Sequence, residues 1–417
     1  MRSFTAIILF CAFAVWIAAG DAFAQTANTD GSQVVQLQPF YESDIINLIH
    51  YGNCQWLYPL DEPNEPLLSE PEYRSAKHVY YAARYGDAKD NLFTLVLDED
   101  RGADTGFNVV YADTNNDNRI DPKQERFGFL LGTTSGAEPV RITLSVSAGG
   151  KTIPYTFGFT AFPYKDSSNP VGKIHANCRN SSIMMGEAVF AGRRCKVALA
   201  DLDSNGLFNN YEQGLFRGDR FFVDLNGDGN FGESGESLSY AQYARIGDAW
   251  YTIEASPDGG AVRIQPSTPT FGAIKAPAGV KSVGLSSPKQ YQDVAFAEGR
   301  AQAITGVYEV RSAILEIVDD SGQRWITRGS YGQKRPKLVV DPNREAALGD
   351  VLPLTIQVAI LPGPDPDTVQ LEPRITDSHG GTFSTLRLGN SRHEPPAYLV
   401  IKDAEGKQVA KADLEYG

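Results

Sequence analysis

From about residue 75 onward the chain is written in short β-branched or aromatic runs broken by Gly, Asp and Pro. That pattern suits half-buried strands, whose side chains alternate between two faces. The runs come in pairs around turn residues, which predicts antiparallel hairpins. Val79–Tyr85 and Leu92–Leu97 flank Gly86-Asp87, and Ile142–Val146 and Tyr155–Phe159 flank Ala148-Gly149-Gly150. Trp250–Ala255 and Ala261–Ile264 enclose Ser256-Pro-Asp-Gly-Gly260, and Ile314–Val318 and Trp325–Thr327 enclose Asp319-Asp-Ser-Gly322. Tyr398–Ile401 and Gln408–Ala412 flank Asp403-Ala-Glu-Gly406. Helical periodicity is weak, limited to Asp44 to His50 and a turn or two elsewhere, and 40 glycines and 24 prolines argue against long helices. The expectation is a mainly β protein, built of several antiparallel β-sheet or sandwich modules.

Breaks in the pattern divide the chain. Residues 25–74 are polar and Pro-rich and read as an N-terminal arm with the short helix. Residues 75–168 and 169–266 read as two β modules. Ser267-Thr-Pro-Thr-Phe-Gly-Ala-Ile-Lys-Ala-Pro277 reads as a hinge into a third, 267–335. The last stretch, 336–417, has the strand spacing of a small immunoglobulin-like sandwich.

The first residues alter the picture of where the protein acts. Met1-Arg-Ser carries one positive charge, Phe4 to Ala19 is almost wholly apolar, and Ala22-Phe-Ala24 offers a small-x-small cleavage site. This predicts a secretory signal peptide over 1–24 and a secreted or periplasmic protein. No later run is apolar enough to span a bilayer. The formal net charge of -13, from 51 acidic and 38 basic residues, speaks against nucleic acid as a partner, since phosphates demand a basic footprint. Cys54, Cys178 and Cys195 follow the leader. Export makes a Cys178–Cys195 disulfide the expected pairing and leaves Cys54 odd, either buried or free.

The candidate chemistry lies in three Asp- and Asn-rich loops. Asp201-Leu-Asp-Ser-Asn-Gly-Leu-Phe-Asn-Asn-Tyr-Glu212 places Asp201, Asp203 and Asn205 at alternate positions, with Gly206 at a forced turn. Leu207 follows with its backbone carbonyl, then Asn209, then Glu212. A second loop carries Asp224, Asn226, Asp228 and Asn230, with Glu233 or Glu236 as the closing carboxylate. A third carries Asp113, Asn115, Asp117, the Arg119 carbonyl and Asp121, with Asn118 where a turn glycine is expected. Gln124 stands at its twelfth position and Glu125 one residue later. Val110-Tyr-Ala-Asp113 and Phe221-Phe-Val-Asp224 are similar approaches, which reads as an internal repeat of a strand delivering a chelating loop.

Position by position, these loops resemble the calcium loop of EF-hand proteins. The resemblance implies Ca2+, a hard cation that takes roughly six to eight oxygen ligands. It covers the loops alone. An EF-hand needs a helix on each side, whereas Cys195-Lys-Val-Ala-Leu-Ala200 and Phe221-Phe-Val223 read as strands, and only a short glycine-broken segment separates the loops at 201 and 224. Those two are close enough to share a site or form a two-ion cluster. Plain hairpin turns also use Asp, Asn and Gly, because Asx side chains bond their own backbone.

Signatures of catalysis are missing. There is no Gly-x-Ser-x-Gly, no His-Glu-x-x-His and no phosphate-binding loop, and the five histidines are scattered. Asp104-Thr-Gly106 and Asp320-Ser-Gly322 superficially resemble aspartic-protease triplets but lack the apolar approach and the following hydroxyl residue. The expected function is that of an exported structural or interaction protein for adhesion or envelope assembly, its EF-like loops stapled by Ca2+. An unknown protein or glycan is the expected partner. The alternatives are an extracellular hydrolase with structural calcium, or a carbohydrate-binding protein with Trp250 or the Tyr80–Tyr81 pair as a platform, although core packing is the better expectation for each.

Overall fold

The computed structural model describes residues 30–40, 54–100, 106–128, 139–166, 169–181, 183–211, 218–332, 334–349, 354–362, 369–389, 397–402 and 404–414. The expected signal peptide, the expected helix at 44–50 and Glu212 lie outside them. The regular structure of the described residues is β-strand throughout, so the protein is mainly β.

The N-terminal part opens with β1 (Gln33–Gln36), β2 (Gln38–Phe40) and β3 (Gln55–Leu57). Next come β4 (Val79–Arg84), β5 (Leu92–Asp98), β6 (Val109–Ala112) and β7 (Arg126–Gly128), paired in that order as one sheet. β8 (Val140–Ala148), β9 (Lys151–Asp166) and β10 (Asn169–Asn180) form a second sheet, with β3 on its edge. A third runs β14-β13-β12-β11-β2, from β11 (Ile183–Phe190), β12 (Arg193–Ala200), β13 (Arg220–Val223) and β14 (Ser237–Ser239). β15 (Tyr243–Ile246), β16 (Ala249–Ala255) and β17 (Ala261–Ser267) make a fourth with β1. One buried cluster draws on all four sheets, from Val35 to Ile264. The residues expected to form two modules, 75–168 and 169–266, therefore contribute to the same core.

The C-terminal part has its own core, from Ile274 to Phe383. It begins with β18 (Phe271–Lys275), β19 (Val280–Ser287), β20 (Gln290–Ala295), β21 (Arg300–Ile304), β22 (Gly306–Val318) and β23 (Arg324–Ser330). β24 (Lys337–Val340) pairs with β22, and β25 (Ala346–Ala347) runs parallel to β18. β26 (Thr355–Pro362), β27 (Val369–Thr376) and β28 (Thr382–Leu388) continue the sheet of β19, β22 and β23, joined through β28. β29 (Ala397–Lys402) and β30 (Gln408–Leu414) form a separate hairpin. All five hairpins expected from the pattern are present.

Two four-strand units repeat. In one, β5 pairs β6 with Leu95↔Ala112 and Asp98↔Val109; in the other, β12 pairs β13 with Val197↔Val223 and Ala200↔Arg220. A chelating-type loop then leads from β6 to β7 and from β13 to β14, and each closes with the same strand register. Alternation explains why β6 and β13 are buried on both faces. Val110, Ala112, Phe221 and Val223 face the main core, while Val109, Tyr111 and Phe222 face small satellite clusters on the outer side.

The cysteine expectation needs correction. Cys178 on β10 and Cys195 on β12 are buried free thiols in different sheets. Cys178 meets the Tyr85 side chain, and burial pushes its thiol up to about 12. Its nearer cysteine is Cys54, next to β3, whose Gln55 is paired with Cys178.

Candidate metal centre

The three loops share one backbone shape. The fourth residue of each has positive φ (Asn116 57°, Ser204 55°, Gly227 83°), and so has the sixth (Asn118 58°, Gly206 81°, Gly229 82°). Asn118 replaces the turn glycine because Asn tolerates the left-handed region better than other side chains. The eighth residue of each loop, Ile120, Phe208 or Phe231, is a buried apolar anchor. Each such burial contributes roughly 1.5–3 kcal/mol. The first aspartate of each loop is buried and accepts the backbone N–H of the sixth residue: Asp113 from Asn118 at 2.9 Å, Asp201 from Gly206 at 2.7 Å and Asp224 from Gly229 at 3.0 Å.

The loops at 113 and 224 are closed by a glutamate one place beyond the EF-hand position. The Glu125 carboxylate accepts from the N–H groups of Thr114 at 2.7 Å and Asp121 at 2.8 Å. Glu236 accepts from Leu225 at 2.9 Å and from Glu233 at 3.2 Å. Both glutamates are buried, whereas Glu233 is exposed and contributes only its N–H. Of the two candidates, Glu236 therefore closes the second loop. Asn115, Asp117, Asp121, Asn226 and Asp228 accept N–H groups two residues ahead, Asn230 donates one of these to Asp228, and Arg119 donates its own to Asp117. Burial pushes the Asp113 carboxyl up to about 6 against the N–H bonds it accepts from Asp117 and Asn118, helped by the Glu125 and Asp117 charges.

The loop at 201 differs. Asp201, Asp203 and Asp219 bring one carboxylate oxygen each to within 4.8 Å of one another, the one such acidic cluster among the described residues. Asp201 and Asp219 are fully buried. Tyr155 donates its hydroxyl to Asp201 Oδ2 at 2.8 Å, and Asn205 donates its N–H to Oδ1 at 3.3 Å. Asp219 Oδ2 accepts the Asn210 N–H at 2.6 Å, and Asp203 Oδ2 accepts from the Asn210 side chain at 3.3 Å. Asp203 Oδ1 and Asp219 Oδ1 are buried with no hydrogen-bond partner. Burial, and then the charge of Asp203, holds the Asp201 carboxyl well above the usual carboxylate range. Asp219 is raised in the same way, by burial first and the charges of Asp201 and Asp203 next.

Of the predicted ligands, Asp201 and Asp203 lie in the carboxylate cluster. Asn205 spends its side-chain oxygen on the Leu207 N–H at 2.8 Å and its backbone oxygen on the Gly86 N–H at 2.7 Å. Asn209 is half-buried, and it is Asn210 that bonds the carboxylates. Asp219 was not anticipated. The signal lay in pairing, not spacing: Ala200↔Arg220 are the last partners of β12 and β13, so Asp201 and Asp219 follow as the next pair.

The aromatics weighed as a sugar platform are packed, as expected of each. Tyr80 and Tyr81 are buried, and Trp250 packs on Phe271 with ring centroids 5.5 Å apart. No helix among the described residues is long and apolar enough to cross a membrane. Comparison with protein-family models, curated proteins and solved structures finds no match.

Proposed function

We propose that this is an exported, calcium-stapled β protein with a structural or interaction role, and that Asp201, Asp203 and Asp219 hold its principal ion. The observation that carries this reading is the pair of buried carboxylate oxygens, on Asp203 and Asp219, without a hydrogen-bond partner. Isolated buried carboxylates are costly and persist when paired or when they coordinate a metal. An all-oxygen donor set suits a hard cation. Calcium fits better than magnesium, which dehydrates reluctantly and rarely takes a full protein cage.

The centre is well placed to act as a staple. Its loop is bonded to Gly86 in the β4–β5 turn, to Asn180 of β10 through Ser204 and Asp201, and to the β16–β17 turn through Phe208 and Pro257. An ion there ties all four sheets of the N-terminal core at one point, and binding only the native chain stabilises it by mass action. At a free concentration a hundredfold above the dissociation constant the gain is about 2.7 kcal/mol, roughly 5–10 °C in midpoint for a domain of this size. Thermal melts of the full chain in calcium and in excess chelator test this, and superimposable curves would sink it.

A second reading, a carbohydrate-binding protein, draws on a different pair of aromatics. Trp56 on β3 is 45% exposed and Tyr58, two residues on and so on the same side, is 66% exposed. Loss of glycan retention in a Trp56→Ala, Tyr58→Ala protein that keeps its calcium response would favour it. Equal retention would remove it.

A further inference from the structure

The C-terminal core carries a cavity of about 590 Å³ unrelated to the carboxylate centre, lined by Ser286 to Pro288, Val307 to Glu309, Arg311, Arg335 and Lys337. Its floor is the outer face of β22. Val307, Glu309 and Arg311 alternate with the buried Tyr308 and Val310, and Glu309 is flanked by Ser286 of β19 and Lys337 of β24. Arg335 reaches over this floor, donating to Glu309 Oε2 at 3.0 Å and to the Tyr331 carbonyl at 3.4 Å, and the Arg311 guanidinium lies 3.7 Å from the same oxygen. One carboxylate thus faces three cations, a local surplus of positive charge in a chain of net charge -13. Val307 and Val339, partners across β22 and β24, are 62% and 60% exposed and extend an apolar strip from the floor.

We propose that this cavity binds the carboxylate-bearing sugar units of an acidic polysaccharide. Guanidinium forks match planar carboxylates, with Arg335 already oriented by Glu309 and Tyr331. Serine hydroxyls suit ring hydroxyls, and the valine strip suits the C–H face of a sugar ring. The volume falls in the usual range for small-ligand sites, far more than a lone phosphate fills. An acidic peptide is disfavoured by the floor itself. Extended peptides are recognised largely through main-chain hydrogen bonds to a free strand edge, and here β22 is paired on both sides, to β19 and to β24.

Calorimetric titration of the full chain with trigalacturonate, in calcium and in chelator, tests the proposal against maltotriose, inorganic phosphate and pentaglutamate. Saturable trigalacturonate binding is expected, weakened about tenfold or more by Lys337→Glu and by Arg335→Ala and by added salt. Far-ultraviolet circular dichroism checks that each variant is folded, and the exposed Lys337 site leaves one variant free of structural risk. Absence of trigalacturonate binding, or equal affinity in folded variants, overturns the proposal. Equally tight binding of maltotriose, phosphate or pentaglutamate overturns the ligand class. Because the cavity lies on the outer face of the C-terminal sheet, away from the carboxylate centre, binding is expected with calcium or without it, so failure here and failure of the calcium staple are separate results.

Discussion

Asp201 and Asp219 face each other across the end of the β12–β13 ladder, both fully buried, with carboxylate oxygens within 4.8 Å. In the repeated unit the corresponding places, just past the Asp98↔Val109 pair, hold Glu99 and Asn108. There Asn108 Oδ1 accepts the Asp100 N–H at 2.7 Å, so a neutral amide stands where the second unit has a carboxylate. The two units share a framework, and one of them concentrates charge.

Removing that charge has opposite effects with and without the ion. In chelator, Asp219→Asn relieves like-charge crowding in a dry site and raises the thermal midpoint. In calcium the same variant loses most of its response, with affinity falling about tenfold or more. Melts of both proteins in both buffers check this, and a variant that kept the full calcium shift would exclude Asp219 as a ligand.

The pH dependence follows from the raised carboxyls. A folded-state pKa above the unfolded one means that the native state holds the proton more tightly. Without metal, that contribution is complete below about pH 4 and is lost as pH rises through about 6 for Asp113, and through the raised carboxyl range of Asp201 and Asp219. Calcium needs the ionised form, so the gap between melts in calcium and in chelator widens from pH 4.5 to 8. A gap independent of pH would contradict the assignment.

The closing glutamates predict a contrast within one loop. Glu236→Ala strands the Leu225 and Asn226 N–H groups and costs roughly 1–3 kcal/mol. Glu233→Ala, at an exposed side chain, stays within about 0.5 kcal/mol of the parent. Urea unfolding of the two variants distinguishes them, and Glu125→Ala is expected to behave like Glu236→Ala.

Backbone shape gives a second contrast. A β-carbon at Gly206 would meet Val146 at 3.1 Å and the Gly86 nitrogen at 3.2 Å, in addition to the cost of φ +81°. Gly206→Ala is therefore expected to cost about 1–3 kcal/mol and to blunt the calcium response. Asn118→Gly, at the equivalent place, relaxes the same conformation and is near neutral by the same urea assay.

The strands were legible because their alternation is local: Gly149-Gly150 or Asp319–Gly322 between two apolar runs fixes both the turn and its flanks. The loops were legible for the same reason. What local pattern could not supply was register. Asp219 is remote in sequence from Asp201 and adjacent to it only because Ala200 pairs with Arg220. Glu236 and Glu125 were ambiguous because their roles depend on β14 and β7 beginning at the next residue. The Cys178–Cys195 expectation failed because compartment chemistry says that cysteines pair, not which sheets carry them.

The most direct measurement is the anomalous difference map of a crystal grown with calcium. A peak bounded by Asp201, Asp203 and Asp219 is expected, at roughly the 2.3–2.6 Å typical of calcium–oxygen bonds. Water or nothing between those three carboxylates, in a crystal saturated with calcium, would contradict it.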